Sequence, residues 1–336
     1  MSLVVVDADV LGRRRTGDET YVVNLLRHLP AAAADALRFA ALTRRPDLVP
    51  KGVEAVHLPA RSQELRMAWS VSRALRELRP ALAHFQHALP LRCPCPAVVT
   101  IHDLSFERDP SVMRFTDRRV FKMVVPRSAR RAAHVLAVSG RTKRDLVELY
   151  GIAPEKITVT PHGVGSVFSP GTGGGQYVLM VGAVERRKNP LAAAAAASEV
   201  GLPLVVAGPV RDTELARELE RRGARLRGYV EEAELVELYR EAACLVMPSR
   251  FEGFGLPVLE AMASGTPVVA APDPALREVA GEAALFIEPE RLAEGVRRAL
   301  ADRDRLIAAG LQRVKAFTWE ETARRTAAVY LEVLAA

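Results

Sequence analysis

The chain has 336 residues, of which 49% are hydrophobic and 26% charged, a length that favours two domains and a balance that fits folded cores. No apolar run reaches the roughly 20 residues that cross a bilayer, the opening MSLVVVDADV lacks a basic n-region and cleavage site, and three cysteines, an odd number, fit a reducing compartment, so a cytoplasmic location is expected. The net charge of +7 is uneven, with 26 Lys and Arg against 16 Asp and Glu in residues 1–165 and 21 against 24 in the remainder.

In chain order, Leu3 to Asp7 reads as an apolar first strand. The loop GRRRTG (12–17) follows, then a helix from about Asp18 to Leu29. Glycines at a strand-to-helix junction, here Gly12 and Gly17, let backbone come close to a ligand. Three consecutive arginines in that loop favour an anionic ligand. Strands are expected at Leu37–Thr43 and Val53–Leu58, an amphipathic helix over 64–78, and further strands at Ala81–Gln86 and Ala97–Ile101. Cys93 and Cys95, in CPCP, are too close for an ordinary disulfide, and no second pair completes a zinc site. His102 and Asp103 come just after AVVTI, at the carboxyl end of a strand, the edge where open α/β sheets bind ligands. Residues 111–131 alternate Arg114, Arg118, Arg119, Lys122, Arg127, Arg130 and Arg131 with Met113, Phe115, Val120, Phe121 and Met123. That basic, partly amphipathic region, interrupted at Pro126, suits an anionic membrane surface. No pattern of exposed aromatics suits base stacking, so no nucleic-acid partner is expected.

A strand at His134–Ser139, a helix from Ser139 to before Gly151, and Ile157–Thr160 lead to PHGV (161–164). SPGTGGG (169–175) reads as the interdomain linker. Its glycines precede a strand instead of following one, so they are no dinucleotide fingerprint. After the strand Tyr177–Val181, Arg187 and Lys188 sit beside the start of the alanine-rich helix 190–200, two cations placed for a diphosphate. RLRGYV (225–230) ends a strand at Gly228 and Tyr229. The strand Cys244–Met247 precedes SRFEGFGLPVLEAMASGTPVVA (249–270). A Gly-rich turn there opens a helix near Leu256, with Glu252 in the loop and Glu260 one turn inside. The loop residues Gly253, Phe254, Gly255 and Leu256 offer backbone N–H groups at the positive end of the helix dipole. Carboxylates flanking a phosphate site are poor phosphate ligands but good acceptors for hydroxyls, which points to a sugar on one side and a ribose on the other. The last segment, FTWEETARRTAAVYLEVL, spaces Ala323, Ala327, Val329 or Tyr330, and Val333 for one helix face.

EGFGLPVLEAMASGTPVV resembles the two-glutamate motif of retaining glycosyltransferases of family 4, and VVTIHDLSF resembles a segment of its mannosyltransferase-like members. The resemblance implies the GT-B fold: two Rossmann-like α/β domains with parallel sheets facing across a cleft, and a C-terminal helix crossing back to the first domain. Residues 1–168 would form an acceptor-side domain, 169–317 the nucleotide-sugar domain, and 318–336 the returning helix. It further implies Glu252 and His102 at the donor sugar, with Asp103 orienting the site. Arg187, Lys188 and the 253–256 loop would hold the diphosphate, Gly17 would close over it, and Gly228, Tyr229 and Glu260 would hold the nucleoside. The arginine that many members carry after the first glycine is Ala183 here, so Arg187 takes on part of its role. PHGV has His162 where the family usually has Asn. Asp7-Ala8-Asp9 looks like the metal-binding Asp-x-Asp of the other large glycosyltransferase fold but lacks its surroundings. The expected reaction is metal-independent, cofactor-free transfer of a hexose from a nucleoside diphosphate sugar to an acceptor hydroxyl. HDLSF favours mannose and hence GDP over UDP. The basic first half suits an anionic or lipid-linked acceptor and peripheral contact with the inner face of the membrane. Alternatives are a nucleotide-sugar epimerase on the same plan, which would need acid/base residues around the sugar, and a non-catalytic sugar-nucleotide binder.

Overall fold

The computed structural model describes residues 1–13, 16–59, 62–109 and 115–336. They divide into two compact units. The first comprises Met1–Leu104, Phe115–His162 and Trp319–Ala336; the second takes Gly163–Thr318 together with the short helix Ser105–Arg108.

The first unit is a seven-stranded parallel sheet of β1 (Ser2–Asp7), β2 (Leu37–Thr43), β3 (Glu54–His57), β4 (Leu82–Gln86), β5 (Ala97–Ile101), β6 (His134–Ala137) and β7 (Ile157–Val159). Its order is β3-β2-β1-β4-β5-β6-β7, so the strand order reverses between β1 and β4. Val4 in β1 sits between Phe39 and Leu82, in a run whose buried centre is the three valines Val4, Val5 and Val6. Such continuous apolar runs, instead of alternation, mark strands covered on both faces. The second unit repeats the plan with β8 (Val178–Val181), β9 (Leu204–Ala207), β10 (Arg225–Gly228), β11 (Cys244–Met247), β12 (Val268–Ala270) and β13 (Ala284–Phe286). Its order is β10-β9-β8-β11-β12-β13, with the reversal between β8 and β11. Ala193, Ala194, Ala196 and Ala197 of the Pro190–Glu199 helix join Val178, Leu204, Val206 and Val296 in its core. Small side chains let that helix lie close to the sheet.

Several expectations differ in detail. The SPGTGGG segment lies inside the second unit, not between the units; residues 170–175 are exposed, and its first residue is tied down by Arg240, which donates to the Ser169 carbonyl at 2.9 Å and to its hydroxyl at 2.7 Å. Phe168, expected at the end of the first domain, instead lies with the second unit, its ring 5.9 Å from that of Tyr239, and the units part at His162/Gly163. The helix expected over 64–78 runs unbroken from Gln63 to Leu78 but carries a π-helical turn, Arg66–Ser70, between Gln63–Leu65 and Val71–Leu78. Arg66 of that turn is wholly buried and paired with Asp7 and Asp9. Arg44 adds a bidentate pair to Asp9 at 2.7 and 2.8 Å, and Arg13 joins it. Asp7-Ala8-Asp9 is therefore committed to arginines. The helix Phe115–Arg131 continues through Pro126, where the Arg127 guanidinium donates to the Met123 carbonyl at 2.8 Å. Arg14 and Arg15 of the GRRRTG loop, and Met113 and Arg114 of the basic segment, lie outside the described residues.

The C-terminal helix Trp319–Ala335 belongs to the first unit and covers its sheet with Ala323, Ala327, Val329 and Tyr330. It is tied into a buried polar chain: Tyr330 Oη to His84 Nδ1 at 2.6 Å, His84 Nε2 to Thr100 Oγ1 at 2.7 Å, and Thr100 Oγ1 to Tyr21 Oη at 3.0 Å. Removing one end leaves a buried ring nitrogen without its partner. Tyr330→Phe should therefore lower stability by about 1–3 kcal/mol. Both tryptophans, Trp69 and Trp319, lie in the first unit, so urea unfolding followed by their fluorescence reads this loss directly. An unchanged midpoint would show that the chain of bonds does not hold the helix down.

Candidate active site

In the second unit the strand-order reversal directs two loops to one place. After β8, Gly182 turns the chain with φ +143° into the short helix Arg186–Lys188. A side chain at the neighbouring Gly208, at the end of β9, would sit 2.1 Å from the Gly182 carbonyl, so the strand ends approach too closely for any Cβ. After β11 the loop delivers Glu252, 6% exposed. Lys188 Nζ donates to Glu252 Oε1 at 2.6 Å, and Arg187 Nη1 lies 3.7 Å from Oε2. Arg187 is held in turn by the Phe251 carbonyl at 2.6 Å and by Glu185 at 2.8 Å, while Arg211 reaches Glu185 at 3.1 Å. Burial alone would raise the Glu252 pKa, but Lys188 and Arg187 outweigh it and hold the carboxyl below its ordinary value. Glu252 is an ionised carboxylate.

Asp273 supports this loop from behind. It accepts from the Glu252 N–H at 3.3 Å and caps its own helix through Ala275 N–H at 2.8 Å. Gly255, with φ +113°, precedes the Leu256–Ala263 helix, and a Cβ there would lie 2.7 Å from Leu276. The phenyl ring of Phe254 is buried edge-on to Phe317 at 6.2 Å, so residues 253–256 have backbone, not rings, to offer a ligand. Glu260 is buried, and its Oε2 accepts from Tyr239 Oη at 2.8 Å. Burial raises its pKa to about 7, against the lowering pull of that bond. β10 ends at Gly228, whose carbonyl accepts from Gly208 N–H at 2.7 Å, and Tyr229 is partly exposed beside it.

In the first unit, the corresponding strand ends gather imidazoles. His102 follows β5, and its Nε2 lies 2.9 Å from Gln86 Oε1 at the end of β4. Tyr21 meets its ring edge-on at 4.9 Å, His162 stacks on it at 5.6 Å, and His87 is 5.1 Å away. His87 has φ +59°, and Ala88 N–H bonds Gln86 O at 2.6 Å across it, a three-residue turn that a side chain adopts at a cost. Trp319 closes the group, 5.6 Å from His162. Burial holds His102 down to about 4 and His84 down to about 3, and it lowers His162 well below the ordinary value. These rings are neutral at pH 7. Asp103 is half-buried next to His102. Gly17 is exposed in the first turn of the Thr16–Ala32 helix, with open space where a side chain would be, so the fold itself makes no demand for glycine there.

The residues expected around the phosphate and sugar thus come together within each unit: Arg187, Lys188 and Glu252 in direct contact, and Glu260 one turn deeper. Sequence reasoning missed Glu185, Tyr239 and Asp273 in the second unit and Tyr21, Gln86 and His87 in the first. Gln86 and His87 carried one usable signal, their place at the end of β4 beside the strand-order reversal.

Two family models match the chain: Glycosyltransferase Family 4 over residues 15–165 and Glycosyl transferases group 1 over residues 175–302. The O-antigen chain mannosyltransferase B of Escherichia coli is 28% identical over 325 residues, spanning 87% of this chain and 82% of that protein. The D-inositol 3-phosphate glycosyltransferase of Acidothermus cellulolyticus is 32% identical over 230 residues, 57% of this chain and 51% of that one, so this match spans about half of the relative. The sucrose-phosphate synthase of Thermosynechococcus elongatus shares the GT-B fold over all of both chains, with a TM-score of 0.82 at 20% identity.

The buried histidines make the first unit acid-sensitive. A histidine whose folded pKa is depressed contributes stability that is complete above its unfolded pKa, near 6.5, and is lost as pH falls toward the folded value. For His102 that window runs from about 6.5 down to about 4. The loss is about 1.4 kcal/mol per pH unit for each such ring. Glu260, raised to about 7, has the opposite sign and costs the second unit stability as pH rises from its ordinary value. Tryptophan-detected urea midpoints should fall from pH 7 to pH 5, less steeply in His102→Asn; equal slopes in the two proteins would sink the assignment.

Proposed function

The chain belongs to glycosyltransferase family 4 and is a glycosyltransferase, and from that premise we propose that it moves a hexose from a nucleoside diphosphate sugar to an acceptor hydroxyl, with retention and without a metal ion. The observation that carries this reading is the contact of Lys188 and Arg187 with ionised Glu252 beside the amino end of the Leu256–Ala263 helix. Cleavage of the anomeric bond moves negative charge onto the diphosphate and positive charge onto the sugar. Lys188, Arg187 and the helix N–H groups are fixed donors for the first, and Glu252 is a fixed anion for the second. Cations built into the protein take the part that a metal takes elsewhere. Glu252 orients the sugar and favours the cationic transition state; attack from the same face then accounts for retention without a covalent intermediate. Glu260, backed by Tyr239, accepts from the ribose hydroxyls, and the backbone at Gly228 and Tyr229 meets the base. Neutral His102, whose Nε2–H donates to Gln86, accepts from a sugar hydroxyl through Nδ1, and Asp103 supports it.

For the donor we propose mannose carried on GDP, supported by HDLSF and by a mannosyltransferase among the relatives. For the acceptor we propose an anionic or lipid-linked molecule. The first unit is basic, and the name of one relative specifies a phosphorylated inositol. No helix among the described residues is long and apolar enough to cross a membrane. The first unit does expose Trp69 at 69%, with Leu65, Leu91, Val120 and Met123. Leu91 N–H bonds Met67 O, and Arg131 bonds Leu91 O, so three of these side chains lie in segments tied to the basic helix. Such a face suits peripheral binding to anionic lipid.

Incubated with GDP-mannose and a lipid or anionic acceptor extract, the protein should give a product with the donor's anomeric configuration by NMR, unaffected by EDTA. Glu252→Gln should cut turnover by about 10²–10³. Lys188→Ala should weaken GDP binding far more than guanosine binding. An inverted product, a strict magnesium requirement, or equal losses for GDP and guanosine would each count against the reading. Vesicles containing anionic lipid should co-sediment the protein, and Trp69→Ser with Leu91→Ser should release it; retention of the double variant would refute the membrane face.

A further inference from the structure

We propose that Asp18, His87 and His102 form a binding site for a divalent ion of the zinc class, and that its occupancy withdraws His102 from glycosyl transfer. Asp18 comes from the first turn of the Thr16–Ala32 helix, His87 from the turn after β4, and His102 from the end of β5. Three separate elements thus bring one donor atom each to a common place, all within 4.8 Å of one another. Two imidazoles and a carboxylate with a fourth position open to water are a donor set that zinc uses. With bonds of about 2.0–2.1 Å, a tetrahedral ion sets its donors roughly 3.3 Å apart, so the three must close by no more than about 1.5 Å. The half-buried Asp18 side chain, on the first turn of its helix, has the torsional reach to do so.

The imidazoles are prepared for a cation. Gln86 Oε1 can only accept, so at 2.9 Å it fixes the proton on His102 Nε2 and leaves Nδ1 with its lone pair. An acceptor behind the ring is the usual device that sets the tautomer of a metal-bound histidine. His87 Nδ1 is buried with no hydrogen-bond partner among the described residues, a polar atom that a ligand would satisfy. The set holds a single carboxylate beside two imidazoles, so it offers a cation mixed donors without an excess of acid. Magnesium and calcium prefer all-oxygen shells, so this mixed set selects zinc, cobalt or nickel. The blocking effect rests on the reading of His102 as a hydrogen-bonding group for the donor sugar: a ring held by metal cannot serve the sugar. The reaction itself stays metal-independent, and the ion acts as an inhibitor. The Cys93 and Cys95 pair, with Sγ atoms 4.0 Å apart, is the sulfur chemistry from which the test must separate this site.

The test uses the full chain, stripped of metal and titrated with Co²⁺ and then Zn²⁺. One Co²⁺ per chain should bind with visible d–d absorption and without a sulfur-to-metal charge-transfer band. His87→Gln and Asp18→Asn should each weaken binding by at least about 10-fold. Their thermal midpoints in EDTA separate lost ligation from lost folding, and either variant alone suffices if the other melts early. Cys93→Ser with Cys95→Ser should leave the site intact. Zn²⁺ should stop transfer by the native protein, with EDTA restoring it, and in His87→Gln, judged against that variant's own metal-free rate, half-inhibition should need at least about 10-fold more Zn²⁺. Absence of binding, a charge-transfer band that disappears with the cysteines, or equal inhibition of native protein and His87→Gln would overturn the proposal. The cobalt titration needs neither donor nor acceptor, so its failure is distinct from failure of the transferase reading.

Discussion

A carboxylate buried as deeply as that of Glu252 stays ionised only against fixed countercharge, and the second unit is arranged to supply it. An isolated charge in such a place costs several kcal/mol, which proton uptake would otherwise relieve. Lys188 and Arg187 prevent that, and each is itself located by the fold. Arg187 is held by Phe251 O and Glu185, and its own carbonyl accepts from Arg250 N–H at 3.0 Å, so the loops after β8 and β11 are laced together through one residue. Asp273 then fixes the Glu252 backbone from the loop after β12. The three loops converge because the sheet reverses its strand order between β8 and β11, which opens a crevice at the carboxyl ends.

The first unit has the same reversal and fills it with different chemistry. Its strand ends carry neutral imidazoles in an aromatic setting, with Tyr21 and Trp319 packed against His102 and His162. Two carboxylates at the end of β1, Asp7 and Asp9, are spent on Arg66, Arg44 and Arg13. A π-helical turn puts Arg66 where it reaches both carboxylates, at the expense of regular helix geometry. One topology thus serves two purposes, a cation–anion pair in one unit and a neutral hydrogen-bonding cluster in the other.

Much of this was legible in the sequence. Short apolar runs separated by helical periods mark the strands of parallel sheets, and the spacing of Glu252, the glycine turn and Glu260 marks a helix-opening loop between two acids. Arg187 and Lys188 were readable as cations near a helix start, though not as partners of Glu252, because 64 residues separate them and only the fold brings them together. Tyr239 was invisible for the same reason: it looks like any aromatic on an amphipathic helix until Glu260 is placed against its hydroxyl. The 169–175 linker misled because glycine and proline signal freedom locally, whereas Arg240 pins that segment through Ser169. Arg66 misled in the opposite direction. Arginine in a basic amphipathic stretch reads as solvated, and nothing local announces that it is swallowed whole by two aspartates far back in the chain.

The pairing of Lys188 with Glu252 also bears on how a donor would enter under the proposed function. A lysine and a glutamate in mutual contact have already lost most of their water, so a diphosphate arriving at Lys188 exchanges one anion for another and leaves the desolvation of the cation unchanged. Glu252 then gives up part of its countercharge at the moment when sugar hydroxyls are at hand to donate to it. Arg187 stays fixed by Phe251 O and Glu185 through that exchange, so the carboxylate is never left wholly uncompensated. The positive charge that develops on the sugar during bond cleavage restores what Lys188 gave away. An anion held ready and partly released by the leaving group is better matched to the transition state than to the empty site, and that difference is the kind of interaction that accelerates a reaction.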